Sequence, residues 1–251
     1  MLDLSDQTVL VTGASRGIGR AIAEACAQAG AAVAVHYGHS ADAAFDVAEA
    51  CGANAHTFQA DLTDLDATDA LFDAVASTYG SVEGLILNAG VARHMPLDAD
   101  RSAWYADWQD TMHVNLRAPE MLCRHALRHF RKNGGGRIVS VASRAAFRGD
   151  TIDYMTYAAS KAGLVALTRS IARGAGSDNV KAFTLAPGFT RTDMAQDFID
   201  EYGPSFVRED LALNDLTEPE DIAPMAAFLL SGAADHATGA TIDFNAGSYV
   251  H

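Results

Sequence analysis

Tyr157 and Lys161 stand four residues apart in a stretch with helical spacing, so both side chains leave one face of one helix. A phenol ordinarily has a pKa of about 10 and is a poor acid–base group near neutrality. An ammonium beside it favours the phenolate and lowers that pKa. Making the phenol about a thousandfold more acidic requires about 4 kcal/mol of differential interaction. A partly dehydrated site strengthens charge interactions enough to supply it. The phenol can then pass a proton to a carbonyl oxygen while hydride arrives at the carbon. Ser143 lies just past a short apolar run, where its hydroxyl can hold the same oxygen as an oxyanion donor does. Asn115 sits early in a long helical stretch, in His113-Val114-Asn115-Leu116. Taken singly, each has an ordinary explanation: a chance pair on a helix, a turn serine, an asparagine satisfying nearby backbone.

Thr12-Gly13-Ala14-Ser15-Arg16-Gly17-Ile18-Gly19 joins the first apolar run to the first helical stretch. Glycines there permit positive φ and close approach of backbone to a ligand. The helix start offers free N–H groups and a positive dipole end to a diphosphate. The spacing is GxxxGxG rather than GxGxxG, and no Gly-Lys-Ser/Thr follows, so this is not a P-loop. Many NAD sites carry an Asp or Glu about 20 residues further on, for the ribose 2′-hydroxyl. Here that stretch reads His36-Tyr37-Gly38-His39-Ser40 and holds no acid. A carboxylate there repels a 2′-phosphate, so its absence favours NADP(H) over NAD(H). Arg16 supplies positive charge, with His39 and Ser40 as hydrogen-bond candidates.

Such groups need a scaffold that gathers loop ends, and the chain repeats one pattern: an apolar run, a turn, a helical stretch. The spacing predicts strands at Thr8–Thr12, Ala32–His36, His56–Gln59, Leu85–Asn88, Arg137–Val141, Val180–Ala186 and Thr241–Phe244. Helices are predicted over Gly17–Gly30, Ala41–Ala50, Asp66–Tyr79, Met112–Asn133, Met155–Gly174 and Glu218–Leu229. The early runs are continuously apolar, as when helices cover both faces of a sheet. The expectation is one α/β domain over 1–251, a Rossmann-like doubly wound parallel sheet of about seven strands with helices on both faces. Segments 91–111 and 189–217 break the rhythm and read as irregular binding loops, the second as a substrate lid. That lid carries Phe198, Ile199, Tyr202, Phe206 and Leu213.

The 251 residues are 49% hydrophobic and 20% charged, enough for a sizeable core and unlike a disordered chain. The formal net charge of −14 repels nucleic acid and anionic membrane, so neither is an expected partner. Cys26, Cys51 and Cys123 form no CxxC pair and are odd in number, which argues against a disulfide framework or a zinc site. Reduced, buried thiols in a cytoplasmic protein are expected. The first residues lack the pattern of a signal peptide, and no apolar run approaches the roughly 20 residues that span a bilayer.

Together these residues resemble the short-chain dehydrogenase/reductase family. The matching pieces are Thr12 to Gly19, Asp61 in Ala60-Asp61-Leu62, Asn88-Ala89-Gly90, Asn115, Ser143, Tyr157-x-x-x-Lys161 and Pro187-Gly188, in this order over essentially the whole chain. The resemblance implies that Tyr157 is the general acid in reduction and the base in oxidation. Lys161 would hold the nicotinamide ribose and lower the pKa of Tyr157, and Ser143 would orient the substrate carbonyl. Asn115 would position a water that links Lys161 to a proton relay. Asp61, beside Leu62, would meet the adenine. Asn88, with Ala89 and Gly90, would stabilise the central strands beside the cofactor. Thr190 and Thr192 would close over the nicotinamide and diphosphate. No metal is needed, because the hydride chemistry belongs to the cofactor.

Within the family the chain resembles 3-oxoacyl-(acyl carrier protein) reductases. Acyl carrier proteins are acidic, and Arg124, Arg128, Arg131 and Lys132, with Arg169 and Arg173, are docking candidates. Those reductases often carry a further basic residue where this chain has Ser177-Asp178-Asn179. Acyl carrier protein therefore stays one reading of the partner. Reduction of a small ketone, sugar or steroid, or oxidation of the alcohol, is another. A non-catalytic NADP-binding regulator is a third, opposed by the intact Asn115, Ser143, Tyr157 and Lys161 set. The resemblance also implies a homotetramer on the long helices, and Ala158, Ala159, Ala162 and Ala166 would permit close helix contact.

Overall fold

Residues 2–203, 211–213 and 215–250 are described in the structure, a computed structural model. Phe206, expected in the lid, lies outside them. The strands are β1 Thr8–Val11, β2 Ala32–Tyr37, β3 Ala55–Gln59, β4 Gly84–Leu87, β5 Gly136–Val141, β6 Val180–Pro187 and β7 Thr241–Phe244. They form one seven-stranded sheet in the order β3-β2-β1-β4-β5-β6-β7, and every pairing is parallel. The helices are α1 Gly17–Gln28, α2 Ala41–Cys51, α3 Leu65–Tyr79, α4 Arg101–Met112, α5 Ala118–Asn133, α6 Ala145–Arg148, α7 Met155–Gly174, α8 Asp193–Tyr202 and α9 Pro219–Leu230.

Successive strand residues face opposite sides, and here both sides are apolar. Val9, Val11, Val33, Val35, Ile86 and Phe183 pack with Ile22 of α1 and Ile222 and Leu229 of α9. Leu10, Ala34, Leu85, Leu87 and Ile138 pack on the other face with Phe72 of α3, Leu122 and Phe130 of α5 and Leu164 of α7. The expected fold is therefore the fold found. Cys26 and Cys123 are buried, whereas Cys51 is only half-buried, and all three are free thiols.

Two expected irregular segments contain helices. Segment 91–111 holds most of α4, whose start Asp100 caps by accepting from the Ser102 N–H. A π-helical turn, His113–Arg117, joins α4 to α5, so the long helix expected from Met112 is preceded by another. Segment 189–217 holds α8, capped by Thr192. The chain order reverses between β1 and β4, and ligands bind beyond the carboxyl ends of strands at such a point. The glycine turn leaves β1 there, and Asn88 to Gly90 leave β4 beside it.

Candidate active site

The glycine turn is braced from three strands. The Thr12 hydroxyl donates to the Ile86 carbonyl (3.1 Å) and accepts from the Asn88 and Ala89 N–H groups (2.9 and 3.1 Å). The Asn88 amide donates to the Thr12 and Gly13 carbonyls (2.9 and 3.0 Å). Asn88 thus ties the end of β4 to the turn that follows β1. His36, at the end of β2, was not singled out in the sequence, yet it is 2% exposed and central here. Its Nδ1 accepts from the Gly13 N–H (3.0 Å), which leaves the proton on Nε2 to donate to the Ala60 carbonyl (3.0 Å). Burial pushes its pKa down to about 4, so it is neutral in the fold. A polar residue inside a buried strand end was the available signal.

The approach is close enough that Gly19 admits no side chain. A Cβ there would collide with the Gly13 carbonyl and the Asn88 amide. Gly13 itself has φ +62°, a left-handed conformation that favours glycine. No side chain caps α1, and no acid sits in its first turn. Its N-terminal N–H groups and positive dipole end are therefore suited to an anion.

A cleft of about 900 Å³ runs from this turn across the strand ends to Tyr157. It brings together Gly13, Ser15, Arg16, Gly17 and Ile18 with His39, Ser40, Asp61 and Leu62. Asn88, Ala89 and Gly90 line it, as do Ser143, Tyr157, Lys161, Pro187, Gly188, Thr190 and Thr192. Gly19 and Asn115 lie behind its wall rather than in it. Asp61 is committed in part to its own loop, because its Oδ1 accepts from the Thr63 N–H and hydroxyl (2.9 and 2.8 Å). Those bonds lower its pKa. Across the mouth, Arg16 pairs with Asp193 at the start of α8 (2.9 Å), both well exposed.

At the far end the Ser143 hydroxyl hydrogen-bonds the Tyr157 phenol and accepts from the Ala145 N–H (3.1 Å). Lys161 is 4% exposed. Its ammonium donates to the Val141 carbonyl (2.9 Å) and lies 5.9 Å from the centre of the Tyr157 ring. Burial pushes the Lys161 pKa down to about 8. Burial also pushes the Tyr157 phenol up to about 12; the Ser143 bond opposes this and the Asp150 charge adds to it. The expectation that Lys161 lowers the phenol's pKa is therefore not met in the protein alone. Loss of water around the phenol outweighs the Ser143 hydrogen bond, and the Asp150 charge acts in the same direction as burial.

Asn115 is fully buried in the π-helical turn. Its amide mimics a strand residue toward Val91, donating to the carbonyl and accepting from the N–H (both 2.8 Å). It also donates to the Ser160 hydroxyl (3.0 Å), which donates to the Tyr157 carbonyl (2.7 Å). Ser160 is a further residue the sequence did not single out. Asn115 thus fixes the loop after β4 against the helix that carries Tyr157 and Lys161.

The wall beyond Tyr157 is aromatic. Phe198 of α8 lies 4.9 Å from Phe189, 5.3 Å from Tyr154 and 4.5 Å from Tyr202, ring centre to ring centre. The Tyr202 hydroxyl donates to Asp153 (3.2 Å), tying the end of α8 to the approach to α7. Thr190 bridges to Thr217, which holds the two ends of the 189–217 segment together.

The cradle of glycine backbone, the uncapped helix start and the length of the cleft fit a dinucleotide. A family model described as enoyl-(acyl carrier protein) reductase matches residues 13–248. A 3-oxoacyl-(acyl carrier protein) reductase of Vibrio cholerae is 34% identical over 249 residues, covering 99% of this chain and 100% of the relative. Its counterpart in Aquifex aeolicus is 33% identical over 252 residues, covering 99% of each. A short-chain type dehydrogenase/reductase from Mycobacterium marinum superposes with a TM-score of 0.91 at 28% identity, covering 100% of this chain and 98% of that one. A 7 alpha-hydroxysteroid dehydrogenase complexed with NADH and a 7-oxo bile acid conjugate gives 0.90 at 32% identity, covering 98% and 95%. Whole-length likeness joins the hydroxyl pair over a buried lysine, and the chain belongs to the short-chain dehydrogenase/reductase family of oxidoreductases acting on carbonyl or alcohol groups.

Proposed function

We propose that the chain is an NADP(H)-dependent oxidoreductase that transfers hydride between nicotinamide and a carbonyl or secondary alcohol carbon in this cleft. The observation that carries the reading is the meeting of the Ser143 and Tyr157 hydroxyls beside buried Lys161 at the end of β5. The cofactor, when bound, supplies or accepts the hydride. The chain's own residues manage the proton. Tyr157 begins reduction as a neutral phenol, the state that can donate to a carbonyl oxygen. Ser143 holds that oxygen while charge develops on it. Lys161, a cation at neutral pH, stabilises the phenolate left behind. Asn115 keeps the lysine-bearing helix and the loop after β4 in register.

Gly13, Ser15, Gly17 and Ile18 hold the diphosphate at the start of α1, with Pro187, Gly188, Thr190 and Thr192 closing the opposite side. Asp61 and Leu62 flank the adenine. Arg16, His39 and Ser40 receive the 2′-phosphate, with Arg16 giving up an exposed pair with Asp193 that is worth little in water.

The relatives' printed activity makes a 3-oxoacyl thioester the first substrate to try. A second reading, a compact ketone or its alcohol, is favoured by the aromatic wall and by the Arg131–Asp178 pair (2.7 Å), which occupies part of the basic docking patch. Consumption of NADPH and of NADH is followed with acetoacetyl-coenzyme A and with a panel of small ketones. Turnover faster with NADPH, and reduced at least about 100-fold in Tyr157→Phe, supports the proposal. Turnover of the ketones but not the thioester selects the second reading. No turnover of any carbonyl compound by the cofactor-bound protein overturns the proposal.

A further inference from the structure

Helix α8 brings Phe198 to the cleft and is only ten residues long. An isolated helix of that length is marginal in water, so tertiary contacts must hold it in place. At its start, the pair between Asp193 and Arg16 is exposed, and Arg16 is the group proposed to turn to a 2′-phosphate. The other end is tied differently. Tyr202 stands four residues after Phe198, on the same helix face, and the two rings stack at 4.5 Å. The Tyr202 hydroxyl donates to the Asp153 Oδ2 (3.2 Å) and lies 3.5 Å from the Thr151 hydroxyl.

Asp153 is half-buried in a short 3-10 turn, Ile152–Tyr154, that leads into α7. Its carbonyl accepts from the Met95 N–H (3.0 Å), in the loop after β4. In the same loop, the His94 Nε2 lies 3.5 Å from the carboxylate oxygen that Tyr202 reaches. The His94 ring also meets Tyr202 edge-on at 6.3 Å and Tyr154 at 5.9 Å. One aspartate thus joins three segments: the loop after β4, the entrance to α7 and the end of α8. His94, Asp153 and Tyr202 stand behind the cleft wall, whereas Tyr154 and Phe198 line it. Tyr154 is three residues before Tyr157, and Phe198 packs on it at 5.3 Å. A displacement of α8 carries Phe198 away from Tyr154 and changes the room beside Tyr157, while the Ser143–Tyr157 bond stays as it is.

We propose that Asp153 is a positioning residue for substrate binding: through Tyr202 its carboxylate latches α8 to the entrance of α7 and so holds Phe198 as the wall of the substrate end of the cleft. The inference rests on the oxidoreductase reading given above and adds what sets the shape of that end.

The test uses the full chain with Tyr202→Phe, Asp153→Ala, the double variant and Asp153→Asn. Tyr202→Phe removes the donor and keeps the ring, and Asp153→Asn keeps an acceptor for the Tyr202 hydroxyl. Kinetics are followed with whichever of acetoacetyl-coenzyme A and the small ketones turns over. Tyr202→Phe and Asp153→Ala should each raise the KM for the carbonyl compound about 3- to 30-fold, with kcat and the KM for NADPH within about twofold of wild type. The double variant should be no worse than Asp153→Ala alone, because both remove one bond, and Asp153→Asn should recover most of the loss. In parallel, amide hydrogen exchange in 193–202 should quicken about 3- to 30-fold in both single variants, with α7 unchanged. An unchanged KM, a loss that falls equally on kcat and on NADPH, or no rescue by Asp153→Asn overturns the positioning role and leaves the oxidoreductase reading standing, and so does unchanged exchange in α8. Quickened exchange with no carbonyl compound turned over by wild type overturns the oxidoreductase reading and leaves the latch. Neither effect overturns both.

Discussion

Burial raises the Tyr157 phenol's pKa to about 12, and this would set an asymmetry between the two directions of the proposed reaction. With Tyr157 in the proposed role, reduction would start from the proton donor already in place, whereas oxidation would first have to remove that proton. Asp150 stands exposed at the rim, yet it is shielded enough for its own pKa to rise, and its charge opposes the phenolate. Removing that charge in Asp150→Asn lowers the Tyr157 pKa. The rate of alcohol oxidation then rises roughly threefold on the acidic limb of its pH profile, whose midpoint moves down. An upward move would show that Asp150 acts by another route. The identities of Tyr157, Lys161 and Ser143 were legible from residue type and spacing. The sign of the phenol's shift was not, because spacing shows that an ammonium is near but not how much water remains. His36 and Ser160 escaped notice because their meaning lies in partners 23 and 45 residues away, Gly13 and Asn115.

The elements that hold the site depend on a few cross-links, and the glycine turn shows how. Neutral His36 accepts the Gly13 N–H, and protonation removes that acceptor. The folded His36 binds a proton only near pH 4, whereas the unfolded residue does so near 6.5. Between those values the unfolded chain holds more protons, so stability falls as pH drops from about 6.5 to 4, by up to about 3 kcal/mol from this group. His36→Gln does not titrate there. It should lose about 1–3 kcal/mol at pH 7, through an imperfectly satisfied Gly13 N–H, and show a shallower decline on acidification. Urea midpoints of both proteins at several pH values decide the matter, and equal slopes would remove His36 from the account. The strands were legible because a buried parallel sheet needs apolar residues on both faces, as in Thr8–Val11 and Val180–Pro187. Helix α4 was not, because Arg101–Met112 carries tryptophans and acids without an apolar stripe. Its cap at Asp100 was the one local signal.

At the scale of the whole molecule, one side keeps large apolar side chains exposed among the described residues. Trp108, Met112, Leu116 and Leu167 line a second cavity on the α4–α7 side, and Tyr105, Ile152 and Met155 are exposed. Ala159 and Ala166 on α7 face outward rather than onto the sheet. The expected homotetramer would cover these surfaces with copies of the same helices. Light scattering should give the mass of four chains, and Ala166→Arg should lower it by forcing a long cation into a close helix contact. A monomer in wild type rules the assembly out. With a net charge of −14, association should strengthen as salt screens the repulsion. The π-helical turn at His113–Arg117 joins this surface to the reaction. An α-helix turns about 100° per residue, so the wider turn rotates everything before it relative to everything after it. Deleting one residue there would not merely shorten the chain. It would swing the tryptophans of α4 to a new azimuth while pulling Asn115 off Val91, so one residue of length sets the phase of the outer face and of the proton-handling end together.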